Sequence, residues 1–199
     1  MNKARVEAFT DAVVAIILTI MILEFKTPSS LAFSAIFENG PYLISYVVGY
    51  VFVGVAWYNH HYLFAVSKRI TKRVYWLNNF WLFSMSFIPV ATAWVGQGLN
   101  AFGPEAFYAI VYFLWTLSYQ LLTLALLSTS RQAGDTKAVK AISAMPLYRF
   151  LTTWYWVLGL VLVDVIALVM MPSLQLLVVA GLVVFVGART NSDSDQLFN

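Results

Sequence analysis

Long apolar runs, each followed by a short polar or basic segment, divide this chain from end to end. A helix needs about 20 mainly apolar residues to cross the hydrocarbon core of a bilayer, and the runs are of that order. Only 11% of the residues are charged and 61% are hydrophobic, whereas a soluble domain carries about 25% charged residues. The pattern predicts an all-α integral membrane protein and excludes a water-soluble globular fold.

Proline, glycine and charged residues mark the limits of six predicted transmembrane helices. Pro28, Pro172 and the glycine-rich segment 96–104 separate neighbouring runs. The predicted spans cover residues 4–26, 41–66, 74–96, 105–130, 146–171 and 173–189, within one domain of residues 1–190. The sixth run is short for a full crossing, and residues 191–199 are predicted to form a polar cytoplasmic tail.

The distribution of basic residues predicts the orientation of the chain. With the N-terminus in the cytoplasm, every lysine and arginine except Lys26 falls in a cytoplasmic segment, and the run from Lys68 to Arg73 is the densest. Cytoplasmic loops carry an excess of Lys and Arg, so both chain ends are predicted to be cytoplasmic and the number of spans to be even. The same rule explains the net charge of +3 without nucleic-acid binding.

The sequence lacks the residues that several functional classes need. The chain has no cysteine, which excludes disulfides, thiolate zinc sites and lipidated cysteines. Its two histidines, His60 and His61, are adjacent and point in different directions on a helix, so they are a poor metal pair. No nucleophile elbow, phosphate-binding loop or paired-carboxylate site is recognisable. We therefore expect no enzyme activity, no cofactor and no metal beyond a permeating ion.

The first predicted span is the segment richest in functional candidates. It carries ionisable and hydroxyl groups in or beside an apolar run, namely Arg5, Glu7, Asp11 and Thr19. Such groups are costly at membrane depth and suggest a function. Four residues share one helical face through offsets of three, four and seven, namely Ile16, Thr19, Ile20 and Leu23. This stripe can line a pore, or it can pack against neighbouring helices as branched aliphatic residues do in any bundle.

Buried polar residues in other spans are possible partners for Asp11. His60, His61 and Asn78 are predicted to lie at a similar depth, near the cytoplasmic side. Asp164, in the fifth predicted span, is a further carboxylate at membrane depth. It can serve a proton relay or form an interhelical hydrogen bond.

The first half of the chain resembles a known family. Arg5, Phe9, Thr10, Asp11 and Ala12 resemble the RxxxFSDA signature of the transmembrane protein 175 potassium-channel family in its short prokaryotic form, with Thr10 in place of the usual serine. Further matches follow in the expected order: Thr19, Glu24, Trp57, His60, His61, Phe64, Leu77, Asn78, Ser86, Phe87, Pro89, Thr92, Ala93 and Gly96. They occupy roughly the first half of the chain, and the second half is similar only in its span pattern.

The resemblance implies a homotetramer of six-helix subunits in a prokaryotic inner membrane, in contact with lipids and monovalent cations. The first helix of each copy would line a central pore that conducts potassium with modest selectivity over sodium. Ile16 would form the constriction, with Ile20 and Leu23 further along the pore and Thr19 influencing selectivity. A supporting network would comprise the signature residues with Trp57, His60, His61 and Asn78.

Two other functional classes remain open. A proton-coupled secondary transporter or a proton-conducting channel would use a buried carboxylate, either Asp11 or Asp164. Ion flux that requires a proton gradient distinguishes the transporter from a potassium channel. A membrane enzyme or a non-conducting scaffold would show no ion flux and would tolerate substitutions in the stripe.

Overall fold

The computed structural model describes residues 2–190, and all regular structure within that range is helical, as predicted. The α-helices of this range are α1 (Lys3–Met21), α2 (Gly40–Ala65), α3 (Lys72–Met85), α4 (Ile88–Val95), α5 (Phe102–Gln132), α6 (Thr136–Ala144), α7 (Pro146–Thr152), α8 (Trp154–Met170) and α9 (Leu174–Gly187). One 3-10 helix follows α1 (Ile22–Glu24) and another precedes α2 (Phe33–Asn39). The predicted tail, residues 191–199, lies outside the described residues.

Three helical segments are long and apolar enough to cross a bilayer by themselves. They are α1 with its 3-10 extension (Lys3–Glu24), α2 with the preceding 3-10 helix (Phe33–Ala65) and α5 (Phe102–Gln132). Helices α7 and α8 together make a fourth candidate, but they meet at an angle of 82°. Helix α9 is apolar but has only 14 residues. By length and composition, the described range thus holds three or four candidate spans, fewer than the six predicted.

The third predicted span, residues 74–96, is divided into α3 and α4. Pro89 lacks an N–H group and its ring opposes the carbonyl group four residues earlier, which interrupts the helix at residues 86–87. Helix α3 packs along α5, while α4 packs against α1, α2 and α5. Ser84 and Ser118 are both buried and join α3 to α5 through hydroxyl oxygens 2.8 Å apart. These serines lie on buried helix faces, which can carry polar groups that a lipid-facing surface cannot.

The segment between α5 and α8 also differs from the prediction. The hydrophilic stretch 131–140, which lies between the fourth and fifth predicted spans, contains the end of α5 and the start of α6. Gly134 adopts a positive φ of 68°, which ends α5 without steric cost. Asp135 then caps α6, because its Oδ1 accepts a hydrogen bond from the Ala138 N–H at 3.1 Å. The turn therefore leads directly into a new helix.

Contacts between helix ends relate the start of α1 to the end of α2, and the end of α9 to α7. Lys3 Nζ donates to the Ala65 carbonyl oxygen at 3.3 Å, where α1 begins and α2 ends. The Phe150 and Phe185 rings lie 6.4 Å apart, which brings the last turns of α9 beside α7. At the other end of α1, the Tyr42 hydroxyl donates to the carbonyl oxygen of Met21. Lys3 and Arg5 begin α1 and the run from Lys68 to Arg73 follows α2, whereas Lys26 follows the other end of α1.

The end of α4 packs closely against the start of α2 at Gly96. A Cβ atom at Gly96 would lie 2.8 Å from the Cα atom of Tyr42, and a backbone atom cannot move aside cheaply. We expect Gly96→Ala to lower the free energy of unfolding by about 2 kcal/mol, as overpacked sites do. Thermal unfolding of the detergent-purified protein measures the loss. Gly98→Ala is the control, because its Cβ would meet only the Ala101 Cβ, at 3.8 Å; equal losses for both variants would contradict the packing argument.

An ion pair joins the α2–α3 loop to the α5–α6 turn. Lys68 Nζ lies 3.0 Å from Asp135 Oδ2. The hydrogen bond from the Ala138 N–H and the nearby Lys68 ammonium hold the pKa of Asp135 below its usual value of 3.8. A carboxyl group with a depressed pKa stabilises the fold above the pKa of the unfolded chain. That contribution is lost as the pH falls through the lower, folded-state pKa.

We therefore expect the thermal stability of the protein to fall more steeply below about pH 4 than that of an Asp135→Asn variant. Asparagine keeps the helix cap but cannot lose a negative charge. Melting temperatures of both proteins measured from pH 7 downward test this, and the two curves should converge at the acid end. Curves that stay parallel over the whole range would show that the ion pair contributes nothing.

Candidate pore face and its supporting network

Helix α1 has one buried face and one exposed face. The buried face consists of residues spaced by three or four, namely Val6, Thr10, Val14, Ile17 and Met21. It packs against α2, α3 and α4. Because so many apolar side chains on this face leave contact with lipid and water together, the rotation of α1 about its own axis is fixed within the subunit.

The predicted pore stripe lies on the exposed face of α1. Ile16 is 58% exposed, Leu23 is 77% exposed, and Thr19 and Ile20 are also exposed. These side chains therefore do not pack inside their own subunit, which was one of the two roles that the sequence left open. The stripe is available to lipid, to other copies of the chain or to an ion path between them.

Thr19 presents its hydroxyl oxygen from this face. The hydroxyl group donates to the carbonyl oxygens of Ala15 at 3.0 Å and Ile16 at 2.9 Å. Its hydrogen is thus directed back toward the helix, as is common for threonine at membrane depth. The oxygen lone pairs remain free on the exposed side, so Thr19 can accept a hydrogen bond or coordinate a cation there.

A chain of buried hydrogen bonds ties α1 to α2 and α3. His60 Nε2 donates to Asn78 Oδ1 at 2.7 Å, and Asn78 Nδ2 donates to Thr10 Oγ1 at 2.8 Å. The Thr10 hydroxyl donates in turn to the Val6 carbonyl oxygen at 2.9 Å. All donors point the same way along the chain, an arrangement in which neighbouring bonds polarise one another. This chain of hydrogen bonds fixes the proton of His60 on Nε2.

Aromatic rings stack on His60, the histidine of this hydrogen-bond chain. The His60 ring stacks on Trp81 with centroids 4.5 Å apart and an angle of 12°, and on Phe64 with centroids 4.3 Å apart. His60 and Asn78 are 2% and 0% exposed, respectively. The polar groups are thus enclosed by apolar surface, where an unpaired donor or acceptor would be costly. This cluster holds α1, α2 and α3 at one depth.

Asp11 has a different partner from those predicted. Trp57 Nε1 donates to Asp11 Oδ1 at 2.8 Å, whereas His60 and Asn78 bond to each other. His61 contributes only a stacked contact with the Trp57 ring, at 5.7 Å between centroids. Arg5 is exposed and forms no ion pair with a carboxylate in residues 2–190. An indole N–H in an apolar environment needs an acceptor, which was the available signal for the Trp57 contact.

The second candidate carboxylate lies elsewhere. Asp164, on α8, lines a groove together with Gln175 of α9, and α1 contributes no residue to that groove. A relay through Asp164 would therefore not follow the exposed face of α1. Within residues 2–190, no three His, Asp or Glu side chains are arranged to hold a metal ion.

Sequence reasoning assigned no role to Glu105. Its side chain is fully buried in the first turn of α5, and neither carboxylate oxygen has a hydrogen-bond partner among the described residues. The positive end of the helix dipole favours a carboxylate at this position. The preceding Pro104 predicts a helix start, but only the packing of the bundle shows that Glu105 is enclosed.

Comparisons with known proteins all find ion channels. The profile of the endosomal/lysosomal potassium channel TMEM175 family matches residues 5–89. This range includes α1 from Arg5 onward and the residues of the hydrogen-bond chain. A potassium channel of Chryseobacterium is 32% identical over 160 residues, which is 80% of this chain and 82% of that relative. The human endosomal/lysosomal proton channel TMEM175 is 31% identical over 103 residues, which is 46% of this chain and 20% of that protein.

A solved structure shares the fold. The crystal structure of a lysosomal potassium-selective channel TMEM175 homolog from Chamaesiphon minutus matches this chain with a TM-score of 0.74. The match covers 96% of this chain and 98% of that chain, at 22% sequence identity. At this identity the likeness shows a common arrangement of helices.

Proposed function

Because the chain belongs to the TMEM175 family, which consists of ion channels rather than enzymes, we propose that it forms a potassium-permeable channel lined by the exposed face of α1. One observation carries the proposal. Ile16, Thr19 and Leu23 are exposed on a helix whose opposite face is locked into the subunit by apolar packing and by the Thr10 hydroxyl. Such a helix can present a fixed set of side chains to an ion path.

A single copy of α1 cannot enclose a pore, so the proposed channel is a homotetramer with the α1 helices around its axis. In this arrangement α3 and α4 cross the membrane together, and α8 and α9 complete six crossings per subunit. Both chain ends are proposed to be cytoplasmic by the positive-inside rule, since every lysine and arginine except Lys26 then falls in a cytoplasmic segment. The proposed location is a prokaryotic inner membrane.

The proposed gate is an apolar ring. The Ile16 side chains of the subunits would meet near the axis, and a narrow apolar constriction excludes water unless it widens. An ion must lose much of its hydration shell to pass, so a small movement of whole subunits around the axis, with α1 held in place within each subunit, suffices to open or close the path. Ile20 and Leu23 continue the same apolar lining toward the opposite end of the bundle.

Thr19 would form the selectivity layer next to this ring. It follows Ile16 by three residues, or about 4.5 Å along the helix axis, and its oxygen lone pairs face outward. Hydroxyl oxygens replace part of a cation's water shell, which costs less for the weakly hydrated potassium ion than for sodium. This gives modest selectivity, without the carbonyl rings of a dedicated filter loop.

We expect Thr19→Val to lower the potassium-to-sodium permeability ratio toward unity while the channel still conducts. Valine has almost the same shape as threonine but no oxygen to offer to a cation. Reversal potentials under bi-ionic conditions in planar bilayers measure the ratio. Thr19→Ser keeps the hydroxyl and is the control, so loss of selectivity in both variants would assign the effect to packing instead.

The experiment that tests the proposed function is potassium uptake into liposomes that contain the purified protein. Matched sodium gradients and proton gradients are applied in parallel. Uptake that follows the potassium gradient without a proton gradient supports the channel. Absence of uptake by a correctly assembled oligomer would reject it.

Proton permeation is the second candidate, and it is favoured by the name of the animal relatives, which are described as proton channels. Asp11 is an exposed carboxylate on α1, the helix that carries the proposed pore face. Asp164 lies away from that path. Proton flux that is reduced by Asp11→Asn and unaffected by Asp164→Asn would support this function. Potassium flux that requires a proton gradient would instead indicate a coupled transporter.

A further inference from the structure

A groove runs along α9 on the part of the subunit away from α1. Residues of α2, α5, α7, α8 and α9 line it, and it encloses about 190 Å³. Its lining extends along α9 from Gln175 to Val186, a length of about 16 Å at the rise of an α-helix. Most lining side chains are aliphatic or aromatic, so the groove suits an elongated apolar molecule.

The groove has a polar end where α8 meets α9. Gln175 is only 1% exposed, and its Oε1 has no hydrogen-bond partner among the described residues. The Asp164 carboxyl group also lines the groove. The Gln175 Oε1 and the Asp164 carboxylate oxygens are hydrogen-bond acceptors. A buried acceptor without a donor is costly, which makes this end a site for a donating ligand.

The charge of the lining indicates which donor fits. Asp164 is the charged residue of the lining, and no lysine, arginine or histidine lies among the described residues that form it. An ammonium group has three N–H donors and would compensate the carboxylate charge as well as the Gln175 oxygen. A hydroxyl group has one donor and compensates no charge.

We propose that this groove binds a single-chain cationic amphiphile, with its alkyl chain along α9 and its ammonium group between Asp164 and Gln175. Access from the bilayer is open, because Phe113 and Val161 in the lining are 59% and 42% exposed. The site includes no residue of the α1 pore face. The binding proposal is therefore independent of the proposed channel function.

The test uses the full-length protein in lipid nanodiscs and tritiated dodecylamine as the probe, with protein-free nanodiscs subtracted. We expect saturable binding. Unlabelled dodecanol, which has the same chain but a neutral head group, should compete at least about tenfold less well than dodecylamine, because hydrogen bonds to charged groups are the stronger ones. Asp164→Asn should weaken dodecylamine binding by a similar factor. Glu38→Gln removes an exposed carboxylate outside the groove and should leave binding unchanged.

A second variant keeps the test decisive if Asp164→Asn does not fold. Ala109→Phe places a ring in the groove and should abolish saturable binding of dodecylamine. The proposal is overturned if no saturable binding exceeds that of empty nanodiscs, or if dodecanol competes as well as dodecylamine. It is also overturned if folded Asp164→Asn or Ala109→Phe protein binds with unchanged affinity.

Discussion

Replacing Ile16 with asparagine should raise potassium flux through the reconstituted protein by about tenfold or more. The amide side chain holds water where isoleucine excludes it, so the constriction stays hydrated and the barrier to ion passage falls. A reduction of the barrier by only about 1.4 kcal/mol is enough for a tenfold faster rate. Potassium uptake into liposomes at equal protein content measures the effect.

Ile110→Asn is the matched control for this variant. Ile110 is 62% exposed on α5, so the substitution also introduces an amide at an exposed apolar site but not on α1. We expect its flux to equal that of the unaltered protein. Unchanged flux in correctly assembled Ile16→Asn protein would reject Ile16 as the gate. An equal rise in both variants would indicate a general leak.

The helices that the sequence predicts best are those with long apolar runs and few charges. Helices α1, α2 and α5 lie within predicted spans or extend them, because each has a long run with few charges. Hydropathy measures transfer into lipid, and these segments offer an exposed apolar face to it. The all-α class followed from the same property, since only helices or closed barrels satisfy the backbone inside a bilayer.

One predicted span that differs is shaped by contacts with other helices, and another bends where its sequence gives no signal. The segment 74–96 contains Asn78, Ser84 and Pro89, which are tolerated because α5 and α2 surround them. Its polar content and its break at residues 86–87 both follow from that position. The 82° bend between α7 and α8 has no glycine or proline at the junction, and apolar composition continues through it, so hydropathy gives no sign of a bend.

The candidate site was predictable as a set of residues but not as a set of pairs. Depth along the helices predicted that Asp11, His60, His61 and Asn78 lie together, and Thr10 came only from the family signature. The structure joins Thr10, His60 and Asn78 in one chain of hydrogen bonds. It pairs Asp11 with Trp57 instead. Asp11 points in a different direction from Thr10 on α1, and Trp57 points in a different direction from His60 on α2. Rotation depends on the packing of whole helices, which spacing within one helix does not contain.

Replacing Asn78 with alanine should lower the free energy of unfolding by about 2–4 kcal/mol. Asn78 is fully buried and bridges His60 to Thr10 with bonds of 2.7 and 2.8 Å. Alanine leaves the His60 Nε2–H without an acceptor and the Thr10 oxygen without its donor, and each lost partner in an apolar environment costs about 1–3 kcal/mol. Interhelical bonds in membranes can be worth less, which sets the lower figure.

Asn79→Ala separates the bridge from a general effect of removing an amide from α3. Asn79 is the next residue, and its side chain donates only to the Tyr75 carbonyl oxygen of its own helix, at 2.8 Å. Thermal unfolding in detergent should therefore show a large loss for Asn78→Ala and a small one for Asn79→Ala. Since the bridge fixes the rotation of α1, Asn78→Ala should also change the potassium flux of the assembled fraction. Equal losses of stability with unchanged flux would mean that apolar packing alone positions the pore face.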